Sequence, residues 1–310
     1  MHSNQFSCKT DVGDGTTALF IMKKITAILF IACVAMLFTA CHKEGVYNPS
    51  KKISKIYQSY ESGPKYLQQI WTWNKDNTLG KIDYCTSNGG IYQTYNFTYE
   101  KKRLVRINDY AENSYVEYKY DNKGLKESNY YEEGVLTLTY TFTHKNGKII
   151  KITETNYDSY FYKGDARLNM SPLRFVLPDE IVTNTVEAAK KARKNSKSGI
   201  STCTYDLTWE GNNIIKVVYT DLEDGYNAVR EAQYDKKKNP FYASYKSFYF
   251  ESDMVNQSRN NVTNLEYIDT YDGETNRGVA KYEYTYDGQW PLSQRCIQGS
   301  YTELTEFEYN

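Results

Sequence analysis

The chain has 310 residues and 38 Lys and Arg against 38 Asp and Glu, so its formal charge is zero. That balance excludes a generic nucleic-acid binder working through a bulk basic surface, and three His leave little material for imidazole catalysis or imidazole metal binding. Aliphatic side chains are scarce while Tyr occurs 32 times, several-fold above ordinary usage.

In chain order, residues 1–21 carry Asp11 and Asp14, with Lys9 as the one basic residue, and do not fit a targeting signal. They read as an upstream extension that makes Met22 the expected initiator. From Met22, Lys23-Lys24 precede an uncharged run from Ile25 to Ala40, ended by Cys41 and His42-Lys43-Glu44. A basic start, an apolar stretch and a small residue before the cut form a secretory signal over 22–40. The apolar stretch falls short of the roughly 20 residues that span a bilayer.

The run Leu37-Phe38-Thr39-Ala40-Cys41 resembles the lipobox of bacterial lipoproteins, with Phe38 where Leu is commonest. The resemblance implies that Cys41 becomes the lipidated first residue, holding an extracytoplasmic protein on the outer membrane. Several acyl chains suffice for stable attachment. Periplasmic and surface faces both stay open, Glu44 being the one acid just after Cys41. Residues 41–52 then form a tether and 53–310 a single β-rich domain.

After Cys41 the formal charge is −1, and every Tyr of the chain lies there. Low net charge argues against disorder, and Tyr and Trp supply the burial that few aliphatics cannot. Cys85, Cys203 and Cys296 allow at most one bridge; without a C-x-x-C pair, neither a zinc ribbon nor a thioredoxin-like site is supported. Three small buried side chains are the plainer reading.

The main signal is self-similarity. An aromatic-x-aromatic run, a polar turn and an aliphatic restart recur in Trp71-Thr-Trp-Asn-Lys-Asp-Asn-Thr-Leu79, Phe97-Thr-Tyr-Glu-Lys-Lys-Arg-Leu104, Tyr118-Lys-Tyr-Asp-Asn-Lys-Gly-Leu125 and Phe142-Thr-His-Lys-Asn-Gly-Lys-Ile149. Later copies centre on Trp209, Tyr234 and Tyr286. The anchors Trp73, Tyr99, Tyr120, His144, Trp209, Tyr234 and Tyr286 are spaced by 26, 21, 24, 65, 25 and 52 residues. The short spacings hold two strands and two turns, so each unit is a β-hairpin. Alternation agrees: Tyr282, Tyr284 and Tyr286 share one face, Lys281, Glu283 and Thr285 the other. A sheet with one wet face is expected.

The hairpins are interrupted near 163–199. Pro172 and Pro178 break any strand there, and Asp179 is placed to cap a helix through Lys194. The run Lys190, Lys191, Arg193, Lys194 and Lys197 reads either as a basic arm or as a solvated helix end complementing its dipole.

The pairs Tyr120-Asp121, Tyr234-Asp235 and Tyr286-Asp287 resemble YD-type repeats. With the lipobox, Trp209-Glu-Gly-Asn-Asn213 and Asp235-Lys-Lys-Lys-Asn-Pro-Phe241, the chain resembles a family of Bacteroidetes lipoproteins of unknown function with a porin-like β fold. The resemblance implies a long antiparallel β-meander over 53–310, curved or closed into a porin-like barrel. It carries over no functional residues.

No catalytic, cofactor or metal constellation emerges. H-E-x-x-H, G-x-S-x-G and P-loop motifs are absent from the sequence. His42 adjoins the anchor and His144 fills a repeat position. Glu132-Glu133 and Glu223-Asp224-Gly225 sit in turn-like runs. The expectation is a non-catalytic envelope module that needs no cofactor, reaches the membrane through lipid on Cys41, and binds a glycan or another envelope protein. Trp71 and Trp290, near turns, are the candidate exposed aromatics for that binding. A carboxylate-dependent glycan hydrolase is the alternative, and an outer-membrane pore a weaker one, because the polar face carries charges where a membrane barrel needs aliphatics.

Overall fold

Alternation with Tyr on one side and Lys, Glu or Thr on the other gives each strand an apolar face that must be covered. Here the sheet covers that face with itself. The computed structural model describes residues 47–61, 63–109, 113–157, 200–222, 225–242, 258–271 and 273–310. The expected signal over 22–40, Cys41 and the irregular or helical insertion near 163–199 lie outside the described residues.

Sixteen strands are found among the described residues: β1 (Ile53–Tyr60), β2 (Tyr66–Trp73), β3 (Leu79–Cys85), β4 (Ile91–Glu100), β5 (Arg103–Asp109), β6 (Ser114–Tyr120), β7 (Leu125–Glu132) and β8 (Val135–Lys145). They continue as β9 (Lys148–Asn156), β10 (Ser201–Glu210), β11 (Asn213–Asp221), β12 (Asn227–Tyr234), β13 (Val262–Tyr271), β14 (Glu274–Asp287), β15 (Trp290–Gln298) and β16 (Tyr301–Tyr309). Each pairs antiparallel with its sequence neighbour, and β1 pairs with β16, so the meander closes into a barrel without edges. The barrel form of the expected meander is therefore the observed one.

The repeat has a structural reason. The side chains of Trp73, Tyr99, Tyr120, His144, Trp209 and Tyr234 point inward near one end, opposite Leu79, Leu104, Leu125, Ile149, Ile214 and Val262 respectively. Most of these anchors donate a hydrogen bond to the carbonyl of the preceding hairpin's aliphatic residue. Trp73 Nε1 reaches Ile53 O, and Trp209 Nε1 reaches Ile149 O, each at 2.7 Å. His144 Nε2 lies 2.7 Å from Leu125 O and must donate, because a carbonyl only accepts. Tyr234 donates to Ile214 O, Tyr284 to Val262 O at 2.7 Å, and Tyr309 to Pro291 O at 2.7 Å. Trp, Tyr and His interchange here because each joins a flat ring to an N–H or O–H at its far edge.

Tyr286 holds the anchor position, opposite Pro291 after the same bulge, but differs in its hydroxyl partner. Its hydroxyl donates to Asp235, and Tyr284 makes the bond to the neighbouring hairpin instead. The long spacing before it holds one hairpin plus an excursion between β12 and β13. The excursion also carries Phe241 back to the barrel end, where its ring packs 6.2 Å from Trp71 and 6.1 Å from Phe307. Tyr47 joins them, 6.4 Å from Trp71 and 5.8 Å from Trp73. This end is thus filled with aromatic and aliphatic side chains: Ile53, Ile56, Leu79, Ile82 and Leu104 are all 0 % exposed. Burying a side chain of that size stabilises the fold by about 1.5–3 kcal/mol.

The aspartates of the tyrosine–aspartate pairs shape turns. Asp121 accepts the amides of Lys123 and Gly124 at 2.7 and 3.1 Å, and Asp235 those of Lys237 and Asn261 at 2.9 and 3.1 Å. The bonds to Lys123 N and Gly124 N hold the Asp121 carboxyl below its usual range. Outside, the wall carries cross-strand ion pairs such as Lys55–Glu308, Lys119–Glu127 and Lys216–Glu231.

Candidate functional site

The filled end and its opposite differ in what faces inward. Moving along the barrel away from the aromatic ring, inward positions change from Ile, Leu and Phe to Gln, Asp, Glu and Ser. By register the inward set includes Gln58, Gln69, Gln93, Asp109, Ser114, Glu154, Asp221, Asp269, Gln298 and Glu303. Most are deeply buried: Gln69 and Glu154 are 0 % exposed, Asp109 and Glu303 2 %. This polar half of the interior is the candidate site.

Its groups hold one another in place. Gln93 Nε2 donates to Asp109 at 2.7 Å, Gln58 Nε2 to Glu303, and Tyr301 Oη to Glu303 at 3.0 Å. Tyr205 Oη donates to Glu154 at 2.9 Å, and Cys203 Sγ to Asp221 at 3.4 Å. Arg230 contacts Asp269 at 2.9 Å and lies over the Tyr267 ring at 5.7 Å. Tyr267 Oη accepts from Gln298 Nε2 at 2.6 Å. It can lie inward only because the residue opposite is Gly278, where a Cβ would sit 2.0 Å from that hydroxyl oxygen.

Burial sets the acid–base character of this half. Tyr226, whose hydroxyl donates to Asp269 at 2.9 Å, has its ionisation pushed upward by desolvation and then by the Asp269 charge. The Cys296 thiol is pushed up to about 12 by burial, with Glu303 adding to the effect, so at neutral pH it is a neutral thiol. Among the inward atoms without a hydrogen-bond partner in the described residues are Gln69 Nε2, Ser114 Oγ and Gln298 Oε1. Ser114 is placed between Asp109 and Glu132 on adjacent strands. Carboxylates, amides, a hydroxyl and tyrosine rings together suit a ligand rich in hydroxyl or amino groups. Among the described residues, no group of three or more His, Cys, Asp or Glu is arranged to hold a metal ion.

The structure separates the two candidate aromatics. Trp71, expected near a turn and exposed, is 3 % exposed: its position on β2 is inward, and its Nε1 donates to Gln69 at 2.8 Å. Its placement one pair inside Trp73 explains the correction, since alternation sends both rings to the core. Trp290 is half-buried at the filled end, 6.4 Å from Tyr309 and under Lys238 at 5.3 Å. Neither belongs to the polar half. His144 serves the aromatic ring, and Cys85, Cys203 and Cys296 are buried. Sequence reasoning missed the polar half because the inward face was read as uniformly aromatic. The available signal was the repeated Gln, Asp or Glu at inward parity on the far side of each hairpin.

No family model matches the chain, and no curated protein matches it. Solved structures do. A porin-like protein from Bacteroides vulgatus ATCC 8482 superposes with a TM-score of 0.51 at 10% identity, covering 84% of this chain and 99% of that one. A porin-like protein from Bacteroides uniformis ATCC 8492 gives 0.49 at 11% identity, covering 86% and 100%. At such identities the likeness is one of fold, and the fold is porin-like.

Proposed function

We propose that this is a lipid-anchored cell-envelope barrel whose polar half binds a glycan without catalysing a reaction. The observation that carries the reading is an interior blocked by packed rings at one end and lined by amides, carboxylates and tyrosines toward the other. Buried polar groups already oriented by neighbours bind hydroxyl-rich ligands with little reorganisation. The lipobox and the porin-like fold support an envelope location. A protein partner from the envelope is the other occupant of the same class.

A conducting pore fits poorly. The outward wall carries charge pairs at mid-strand, and lysine or arginine facing the bilayer midplane costs roughly 2–4 kcal/mol each. The hydrolase alternative has one observation in its favour: Glu154 and Asp221 flank Cys203 on adjacent strands. Two strand spacings are about 9.6 Å, near the upper limit for an inverting carboxylate pair.

Glycan-array binding by the purified full chain tests the proposal, followed by Gln69→Ala and Ser114→Ala. Binding that weakens in both variants without turnover of the sugar supports it. Silence on glycans with capture of an envelope protein moves the reading to the second occupant. Product release abolished by Glu154→Gln or Asp221→Asn establishes the hydrolase instead.

A further inference from the structure

Among the described residues, lysines gather at one end of the barrel. Lys101-Lys102, just before Arg103 opens β5, and Lys236-Lys237-Lys238 occupy connections at the filled end, where Lys51 and Lys52 also lie beside the ring. Several acids at this end are already engaged: Asp76 with Thr78, Asp121 and Asp235 with turn amides, Asp287 with Lys51 at 2.9 Å. The opposite rim carries Glu61, Glu133 and Glu274.

The Lys101-Lys102 turn is informative about charge. Both residues are left-handed, at φ 50° and 69°, in a two-residue hairpin loop where Asn-Gly is the comfortable choice. The Asn146-Gly147 turn of β8–β9 shows that choice in the same barrel end, at φ 53° and 71°. Lysine at both left-handed positions is conformationally unfavourable, so turn geometry does not explain it.

The second observation is where the chain enters. Tyr47 packs on Trp71 and Trp73, and Lys52 O accepts from Asn310 N at 2.9 Å, so the N-terminal side joins the barrel at the filled, basic end. Tyr47 is six residue steps after Cys41, a reach of at most about 20 Å.

We propose that the lysine-rich filled end is a docking face for an anionic lipid leaflet, which stands the barrel on the membrane with its polar half pointing away. The anchored orientation rests on the lipoprotein reading; the basic face does not. Held this close by acyl chains, the end experiences a high effective concentration of headgroups. Basic residues near an anionic surface then need only weak individual attractions to set orientation. Trp290, half-buried under Lys238 at this end, is the kind of side chain that settles at headgroup level.

The test uses the full chain reconstituted in vesicles of phosphatidylcholine alone or with phosphatidylglycerol. A donor fluorophore is placed on Asn122→Cys at the filled end or on Asn88→Cys at the opposite end, with an acceptor on the lipid headgroups. The native Cys85, Cys203 and Cys296 are buried. With phosphatidylglycerol, transfer from position 122 exceeds transfer from position 88 several-fold, and the difference shrinks in high salt. Lys101→Asn with Lys102→Gly removes two charges while easing the turn, so it loses much of the lipid dependence without loss of folding. Equal transfer from both positions, greater transfer from position 88, or indifference to phosphatidylglycerol overturns the proposal. The mass of the Cys41 peptide is read in parallel. Absent acylation with preserved polarity defeats the lipoprotein reading alone; acylation with lost polarity defeats this one alone.

Discussion

Replacing Tyr309 by Phe isolates one link of the aromatic ring. The hydroxyl donates to Pro291 O at 2.7 Å, while the ring packs 6.4 Å from Trp290 and 6.3 Å from Phe307 beneath Lys51. Phe keeps the ring and deletes the donor. A net hydrogen bond contributes about 0.5–1.5 kcal/mol, and a carbonyl left buried without a partner costs up to about 3. Tyr309 is half-buried, so water partly re-solvates Pro291 O and the expected loss is about 1–1.5 kcal/mol. For a domain of this size that lowers Tm by about 2–6 °C. Tyr57→Phe is the control, because Tyr57 donates to the exposed Glu308 at 2.9 Å and surface changes stay within about 0.5 kcal/mol. Thermal melts followed by circular dichroism, run side by side, read the difference. If Tyr309→Phe melts no lower than Tyr57→Phe, the ring-to-carbonyl bonds do not hold the hairpins together.

Two further outcomes follow from the interior. Gly278→Ala must displace Tyr267 and with it the 2.6 Å bond from Gln298, for a loss of about 1–3 kcal/mol; an unchanged urea midpoint would remove the glycine's packing role. Alkaline stability should fall as pH rises above about 10, the unperturbed tyrosine value. Tyr118, Tyr282, Tyr284 and Tyr309 are all shifted upward by burial. The unfolded chain therefore loses protons that the folded barrel keeps, each such tyrosine contributing a slope of up to about 1.4 kcal/mol per pH unit. Phenolate absorbance should show a class of tyrosines that ionise only with unfolding, and a single smooth titration near pH 10 would contradict their burial.

The repeat was legible because its unit is local. Alternation over Tyr282, Tyr284 and Tyr286, and turn chemistry at Asp121 or Asn146-Gly147, depend on residues within one hairpin. The anchors could be located without knowing their partners, and His144 could be assigned to a Trp or Tyr position from its place in the pattern. Trp71 was misjudged because nearness to a turn suggested exposure, whereas parity with Trp73 sends it inward. Tyr286 was legible as a repeat position, but not that Tyr284 rather than Tyr286 meets the neighbouring carbonyl. The polar half was not read because its members come from different hairpins, and no short window contains Asp109 with Glu132 or Gln298 with Tyr267.

The sequence by itself determined the strands, their wet and dry faces and the hairpin order, since these follow from period-two alternation and turn residues close along the chain. Only the tertiary structure decided that β1 meets β16, that rings from successive hairpins bond the neighbouring backbone, and that the interior divides into an apolar and a polar half. Those features depend on pairings between residues as far apart as Tyr57 and Glu306. Closure also brings Lys51, Lys101, Lys102, Lys237 and Lys238, scattered along the chain, to one end of one barrel.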